Sequence, residues 1–287
     1  RRCAWRVERR RLFTPAREYS LKLKCGRTLG ISEWGDPSSA CKTVVYHHGL
    51  PFGRLEPSIY LSNAHAHEAF AKMGIRLISV DRPGIGKSTN LASRSPHDFA
   101  QDLSHVADEL NISHFAVVGF SAGASYALAQ AQQDARVKAV ALVGASVPMY
   151  LMVSREDSLV SRGLACLEFA SSKLPASIAG IPSYSLALLL KQISHMSPSA
   201  ATRLLARCEP RNVLTSDEEE TAGAMIHQTL QDAVGQGLLG FGEDFLTVLG
   251  RGLQLNLSDI GVPVLLFFGK SDDLVPLGTS AWLASRC

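Results

Sequence analysis

The sequence predicts an α/β protein with a mainly parallel central sheet flanked by helices and interrupted by an all-helical insertion. Three observations lead there. Short apolar runs rich in β-branched residues recur at 43–47, 75–80, 115–118, 137–143 and 264–268, as in strands buried on both faces. Stretches of helical composition alternate with them, and such alternation implies crossovers and a parallel sheet. From Val147 to Leu257 the strand pattern stops, and helical stretches separated by Pro, Ser or Gly replace it.

Taken in order, residues 1–17 form a basic arm with six Arg and one Glu in the first eleven positions. It is expected to be disordered, or to be the end of a transit peptide. The core is expected in two parts, 18–146 and 258–287, around an insertion at 147–257. Glu18–Leu23 and Thr28–Trp34 alternate around Gly26, which predicts an antiparallel hairpin at a sheet edge. Thr43–His47 is the first buried strand and runs into His48-Gly49-Leu50-Pro51. Ser62–Lys72 has helix composition and meets Gly74 as a C-terminal cap; Ile75–Val80 is the next strand. Ser95–Leu110 predicts a helix with Ser95 as N-cap, Pro96 in first position and Asp98 in the first turn. Its residues Phe99, Leu103, Val106 and Leu110 make one apolar face.

The chain turns on 114–133, HFAVVGFSAGASYALAQAQQ. A buried strand gives way to a helix within Gly119-Phe120-Ser121-Ala122-Gly123. That forces Ser121 into a strained turn, and the glycines remove side chains that would clash there. The hydroxyl is then lifted above the sheet beside the positive end of a helix, so Ser121 is the candidate nucleophile. Gly86-Lys87-Ser88 ends like a phosphate-binding loop, but that pattern needs Gly at 81, where Asp stands, and a helix after Ser88. A structural turn is the expectation there, with Asp81 organising the loop.

The elbow, His48-Gly49, Asp81-Arg82-Pro83-Gly84-Ile85-Gly86-Lys87-Ser88 and Gly269-Lys270-Ser271-Asp272, in this order, resemble the α/β-hydrolase superfamily. The resemblance implies an oxyanion hole made by the backbone N–H groups of Leu50 and Ala122. It implies a triad acid three residues after Gly269 and four before Pro276, which selects Asp272 rather than Asp273. The helical insertion falls where many members carry a lid, and Met149, Tyr150, Leu151 and Met152 are candidates to line its pocket. His195 and His227 in the insertion, and the His48 imidazole, are read as structural. Gly235–Gly252, rich in Gly, Phe and Leu, is expected to return the chain to the core.

The family's chain order is Ser, acid, His, and no His follows Asp272. The last strand and the loop bearing the base are therefore expected to be missing from this chain, whose own turnover should be weak. The expected activity is a carboxylesterase-like serine hydrolase acting on a small to medium, fairly apolar ester-like substrate; the rival is an inactive small-molecule binder of the same fold. Thioester, amide and carbon–carbon cleavage stay open. Ser at the elbow in place of Asp argues against the epoxide-hydrolase and dehalogenase branches.

Composition narrows the partners. At 287 residues one domain with an insertion buries about three quarters of its unfolded surface. A net charge of +3 gives no argument for nucleic acid. The six Cys residues are scattered without metal-type spacing and are read as free buried thiols; no cofactor or metal is implied. Asn111-Ile112-Ser113 and Asn256-Leu257-Ser258 fit the glycosylation pattern, a weak sign of secretion. A soluble cytoplasmic or organellar protein is expected, with no integral membrane segment.

Overall fold

The computed structural model describes residues 15–37, 42–147, 162, 163, 166, 185, 188–197, 216–248, 256–270, 272, 274, 275 and 278–286. Seven strands, β1 (Arg17–Lys22), β2 (Thr28–Trp34), β3 (Lys42–His47), β4 (Ile75–Val80), β5 (Phe115–Phe120), β6 (Val137–Val143) and β7 (Val264–Phe267), form one sheet in the order β1-β2-β4-β3-β5-β6-β7. The pairs from β4 through β3, β5 and β6 to β7 are parallel. The hairpin β1–β2 is antiparallel, and β2 joins β4 antiparallel. β1 begins at Arg17, and the Ala16 N–H already donates to the Glu33 carbonyl.

Helices α1 (Pro57–Leu61) and α2 (Ala64–Met73) follow β3; α3 (Pro96–Glu109), α4 (Gly123–Gln133), α5 (Ser216–Ala233), α6 (Leu238–Val248) and α7 (Gly278–Ala284) follow in turn. α2 starts later than its composition indicates, because the Asn63 side chain caps it by accepting the N–H groups of His65 and Ala66. Gly74 closes it at φ +60°. α3 carries the complete capping box between Ser95 and Asp98, which fixes where the chain turns back toward the elbow strand. Phe99, Leu103 and Val106 enter the main core with Val117, Leu128, Val140 and Leu142.

Two expectations are corrected. β7 is not buried on both faces: among the described residues it pairs with β6 alone, and Leu265 and Phe267 remain 50% and 52% exposed. An apolar run cannot itself reveal which of its faces is covered. Within Gly235–Gly252 the chain forms α6, whose Val248 joins the main core. Its buried residues include Gly240, Gly242 and Asp244, and close packing rewards the missing side chains: Gly240 lies so near Gly84 that a Cβ would meet its Cα at 2.4 Å. Cys25 and Cys166 are exposed free thiols rather than buried ones.

Within 147–257, the described residues 162, 163, 166, 185, 188–194, α5 and α6 are helical. Met149, Tyr150, Leu151, Met152 and the stretch 198–207 lie outside the described residues. A second apolar cluster joins Leu190, Ile193, Leu230, Ala233, Val234 and Phe241 of this region to Ile85, with Leu50 packed against it. No described helix is long and apolar enough to cross a membrane.

Candidate active site

β5 ends and α4 begins on either side of Ser121, which is held at φ +50°. A left-handed L-residue costs roughly 1–2 kcal/mol, so something must hold it there. The Ser121 N–H donates to the Val143 carbonyl at 2.9 Å, and its own carbonyl accepts the N–H groups of Ala124 (3.1 Å) and Ser146 (3.0 Å). The turn is thus tied to the carboxyl end of β6. Both flanking glycines are required by space. A Cβ on Gly123 would stand 2.1 Å from the His47 carbonyl oxygen, and one on Gly119 would stand 2.8 Å from the Ala124 Cα. Ser121 is half-buried; Ala122, directly behind it, is buried.

The segment after β3 lies against this turn. A Cβ on Gly49 would fall 3.3 Å from the Ser121 Cβ and 2.9 Å from the Phe120 ring. Leu50 is half-buried, is joined to Pro51 by a cis peptide, and packs on both the main core and the apolar cluster of the insertion. The Gly49 N–H donates to Glu56 Oε2 at 2.7 Å.

Asp272 stands at the end of β7. Its Oδ1 accepts the N–H groups of Leu274 (2.9 Å) and Val275 (3.0 Å). Its Oδ2 lies 3.7 Å from where a Cβ on Gly144 would be. Gly144 follows Val143, whose carbonyl holds Ser121, and its N–H donates to the Phe267 carbonyl at 2.8 Å. Ser121 and Asp272 therefore occupy the same edge, on either side of the end of β6. The family whose members share the alpha/beta hydrolase fold matches residues 42–287.

This chain belongs to the α/β-hydrolase family. It is similar to an esterase from Exiguobacterium antarcticum, at 17% identity and TM-score 0.61 over 94% of this chain and 87% of that one. A bromoperoxidase from Bacillus anthracis superposes at TM-score 0.58, with 20% identity over 93% of this chain and 86% of that one. At such identities these likenesses show the fold, and the chemistry rests on the site. Among curated proteins, a proline iminopeptidase of Arabidopsis thaliana is 31% identical over 132 residues, 44% of this chain and 32% of that protein. The match thus spans about a third of that relative's length.

All nine histidines of this hydrolase are described, and six have defined partners elsewhere. His47 Nε2 meets Gln130 Oε1 at 2.7 Å, and burial pushes that imidazole down to about 3, with Arg82 adding to the effect and the Gln130 bond opposing it. His48 Nε2 accepts the Arg82 N–H at 3.2 Å, so its proton sits on Nδ1, which donates to the Gly49 carbonyl. Burial, then Arg82, holds it well below the usual range. His97, His105, His114 and His227 are bonded to Gln132, the Gln101 carbonyl, Ser113 and the Met196 carbonyl. His65, His67 and His195 lie on α2 and just beyond residue 194.

The turn after β4 is structural. Asp81 accepts the backbone N–H groups of Arg54 and Lys87 and pairs with the Arg54 guanidinium at 2.8 Å. Arg54 also binds Glu18 and Asp232, which ties β1 and α5 to the loop. Arg82 is wholly buried against Asp244 of α6 and stacks over Tyr126 at 4.7 Å. Arg54, Glu56, Arg82 and Asp244 were not legible as partners, since nothing in their local spacing marks them.

Proposed function

We propose that this α/β hydrolase is a serine hydrolase that cleaves a small to medium, fairly apolar ester-like substrate through an acyl-enzyme intermediate. The observation that carries the reading is Ser121, fixed at φ +50° between a buried strand and a helix, with Gly49 at its side. In the proposed reaction Ser121 Oγ attacks the carbonyl carbon and its proton passes to an imidazole. The N–H groups of Leu50 and Ala122 stabilise the oxyanion, each contributing roughly 100- to 1,000-fold. The alcohol leaves with the imidazole proton, and water then hydrolyses the acyl-enzyme by the same exchange. Asp272 orients the imidazole through Oδ2, since Oδ1 is taken by the turn. The helices of 147–257 serve as a lid, and the cluster of Leu50, Ile85, Leu190, Leu230 and Phe241 supports an apolar substrate.

In this scheme the imidazole is none of the six histidines committed to other partners. A serine without a base is a poor nucleophile, so added imidazole should restore reactivity. The test is labelling by a fluorophosphonate with and without imidazole. Labelling that imidazole accelerates, that Ser121→Ala abolishes and that Asp272→Asn reduces is the expected result. Labelling indifferent to Ser121→Ala would end the proposal, and fast turnover without imidazole would show that another group acts as base. The commitment of six histidines to other partners also favours a second reading, a binding protein of this fold. That reading predicts retention of apolar esters with no covalent adduct even in imidazole.

A further inference from the structure

The carboxyl of Glu56, just before α1, is wholly buried at the back of the segment that abuts Ser121. Both of its donors converge on one oxygen: Oε2 accepts the Gly49 N–H at 2.7 Å and the Tyr46 hydroxyl at 3.0 Å. Oε1 is buried with no hydrogen-bond partner. It lies 3.3 Å from the point where a Gly49 Cβ would be, and the Ser121 Cβ lies 3.3 Å from that same point. Among the described residues no cation forms an ion pair with the group. A buried carboxylate normally spreads its charge over donors at both oxygens, whereas one oxygen accepting twice and the other bare is the pattern of a carbonyl beside a hydroxyl.

We propose that Glu56 is a positioning residue that works as a neutral acid, its carbonyl oxygen clamping the Gly49–Leu50 segment against Ser121 while its proton keeps negative charge away from the developing oxyanion. Around it stand the Tyr46 hydroxyl on β3, Tyr60 beside Tyr46 on α1, and Arg82 from the turn after β4. Burial pushes the Glu56 carboxyl up to about 7, against the Gly49 N–H, the Tyr46 hydroxyl and the Arg82 charge. Ionisation therefore falls within the working range. It strengthens the clamp, but it also sets an unscreened charge beside the oxyanion. In a buried setting that charge is the larger effect, so ionisation slows attack.

This inference rests on Ser121 being the nucleophile, and two readouts keep the two ideas apart. The first is the Gly49 amide in a ¹⁵N-resolved NMR titration from about pH 5 to 9. It should move with a midpoint near 7 in the wild type and stay flat in Glu56→Gln. The second is the fluorophosphonate labelling rate in constant imidazole, taken as the ratio of Glu56→Gln to wild type so that shared titrations cancel. The ratio should be near unity at about pH 5 and rise roughly ten-fold above neutrality, while Glu56→Ala, which removes the clamp, labels more slowly throughout. A merely structural glutamate gives a ratio at or below one at every pH. That result, or a pH-independent Gly49 amide in the wild type, overturns the proposal. Failure of the wild type to label at any pH overturns the hydrolase reading instead, and the amide titration then decides the state of Glu56 alone.

Discussion

Arg82 and Asp244 pair at 2.8 Å with both side chains wholly buried, 162 positions apart in sequence. Asp244 also accepts from Arg94 at 3.1 Å and from the Tyr126 hydroxyl at 2.9 Å. Burial alone would raise this carboxyl, but Arg82 and Arg94 outweigh it and hold the group well below the usual range. The pair fastens α6 to the turn after β4, and the Arg82 guanidinium also reaches the His48 carbonyl beside the site.

Breaking that pair leaves a buried guanidinium short of its counter-charge. Asp244→Asn should lose about 3–5 kcal/mol of stability in urea unfolding. The joint Arg82→Met, Arg94→Met, Asp244→Leu variant should lose much less, because neither buried guanidinium that faces Asp244 is left without its counter-charge. Equal losses in the two proteins would mean that packing rather than charge holds α6.

The strain at Ser121 separates two variants that both lack the hydroxyl. Ser121→Gly relieves a left-handed residue and should gain about 1 kcal/mol in thermal or urea unfolding. Ser121→Ala keeps the strain and should leave stability near that of the wild type. Neither should take up the phosphonate. A destabilised Ser121→Gly would show that the turn is not strained.

Gly123→Ala tests whether the elbow helix can recede from β3. Its new Cβ would overlap the His47 carbonyl, a backbone atom that cannot swing aside. A loss of about 2 kcal/mol or more and near-complete loss of labelling are expected. Wild-type behaviour of this variant would contradict the close approach of β3 and α4.

Stability should fall at both ends of the pH range, for opposite reasons. The His47 imidazole is lowered from 6.5 to about 3 on folding, so its contribution is full above 6.5 and disappears as pH falls through 3. The shift corresponds to on the order of 4 kcal/mol. The Glu56 carboxyl is raised from 4.5 to about 7; its contribution is full below 4.5 and disappears as pH rises through 7, on the order of 3 kcal/mol. Burial also raises Asp81 from 3.8 to about 6, against Arg54, and its contribution is lost over an overlapping range, so Glu56→Gln should reduce the alkaline fall and leave the acid one. Urea midpoints measured against pH in both proteins check this, and an unchanged alkaline limb would sink it.

Much of the fold was legible because its signals are local. Ser95, Pro96 and Asp98 announce the start of α3, and Gly74 announces the end of α2. The strand-turn-helix around Ser121 follows from residues within a few positions of each other, where apolar period and glycine placement decide the backbone. The open face of β7 was not legible, because an apolar run does not show which of its faces another element covers. α6 was missed because its glycines lower helix propensity, and only their contact with Gly84 makes them useful.

By itself, then, the sequence determined the alternation of strand and helix and the bend at Ser121, both of them consequences of short-range sterics and period, while Asp272 was singled out by the family resemblance. The tertiary structure decided which distant groups share a buried space: Glu56 with Gly49 and Tyr46, Arg82 with Asp244, Asp272 with Gly144. Charge and hydrogen bonding depend on distance and on exclusion of water, and neither exists along an unfolded chain.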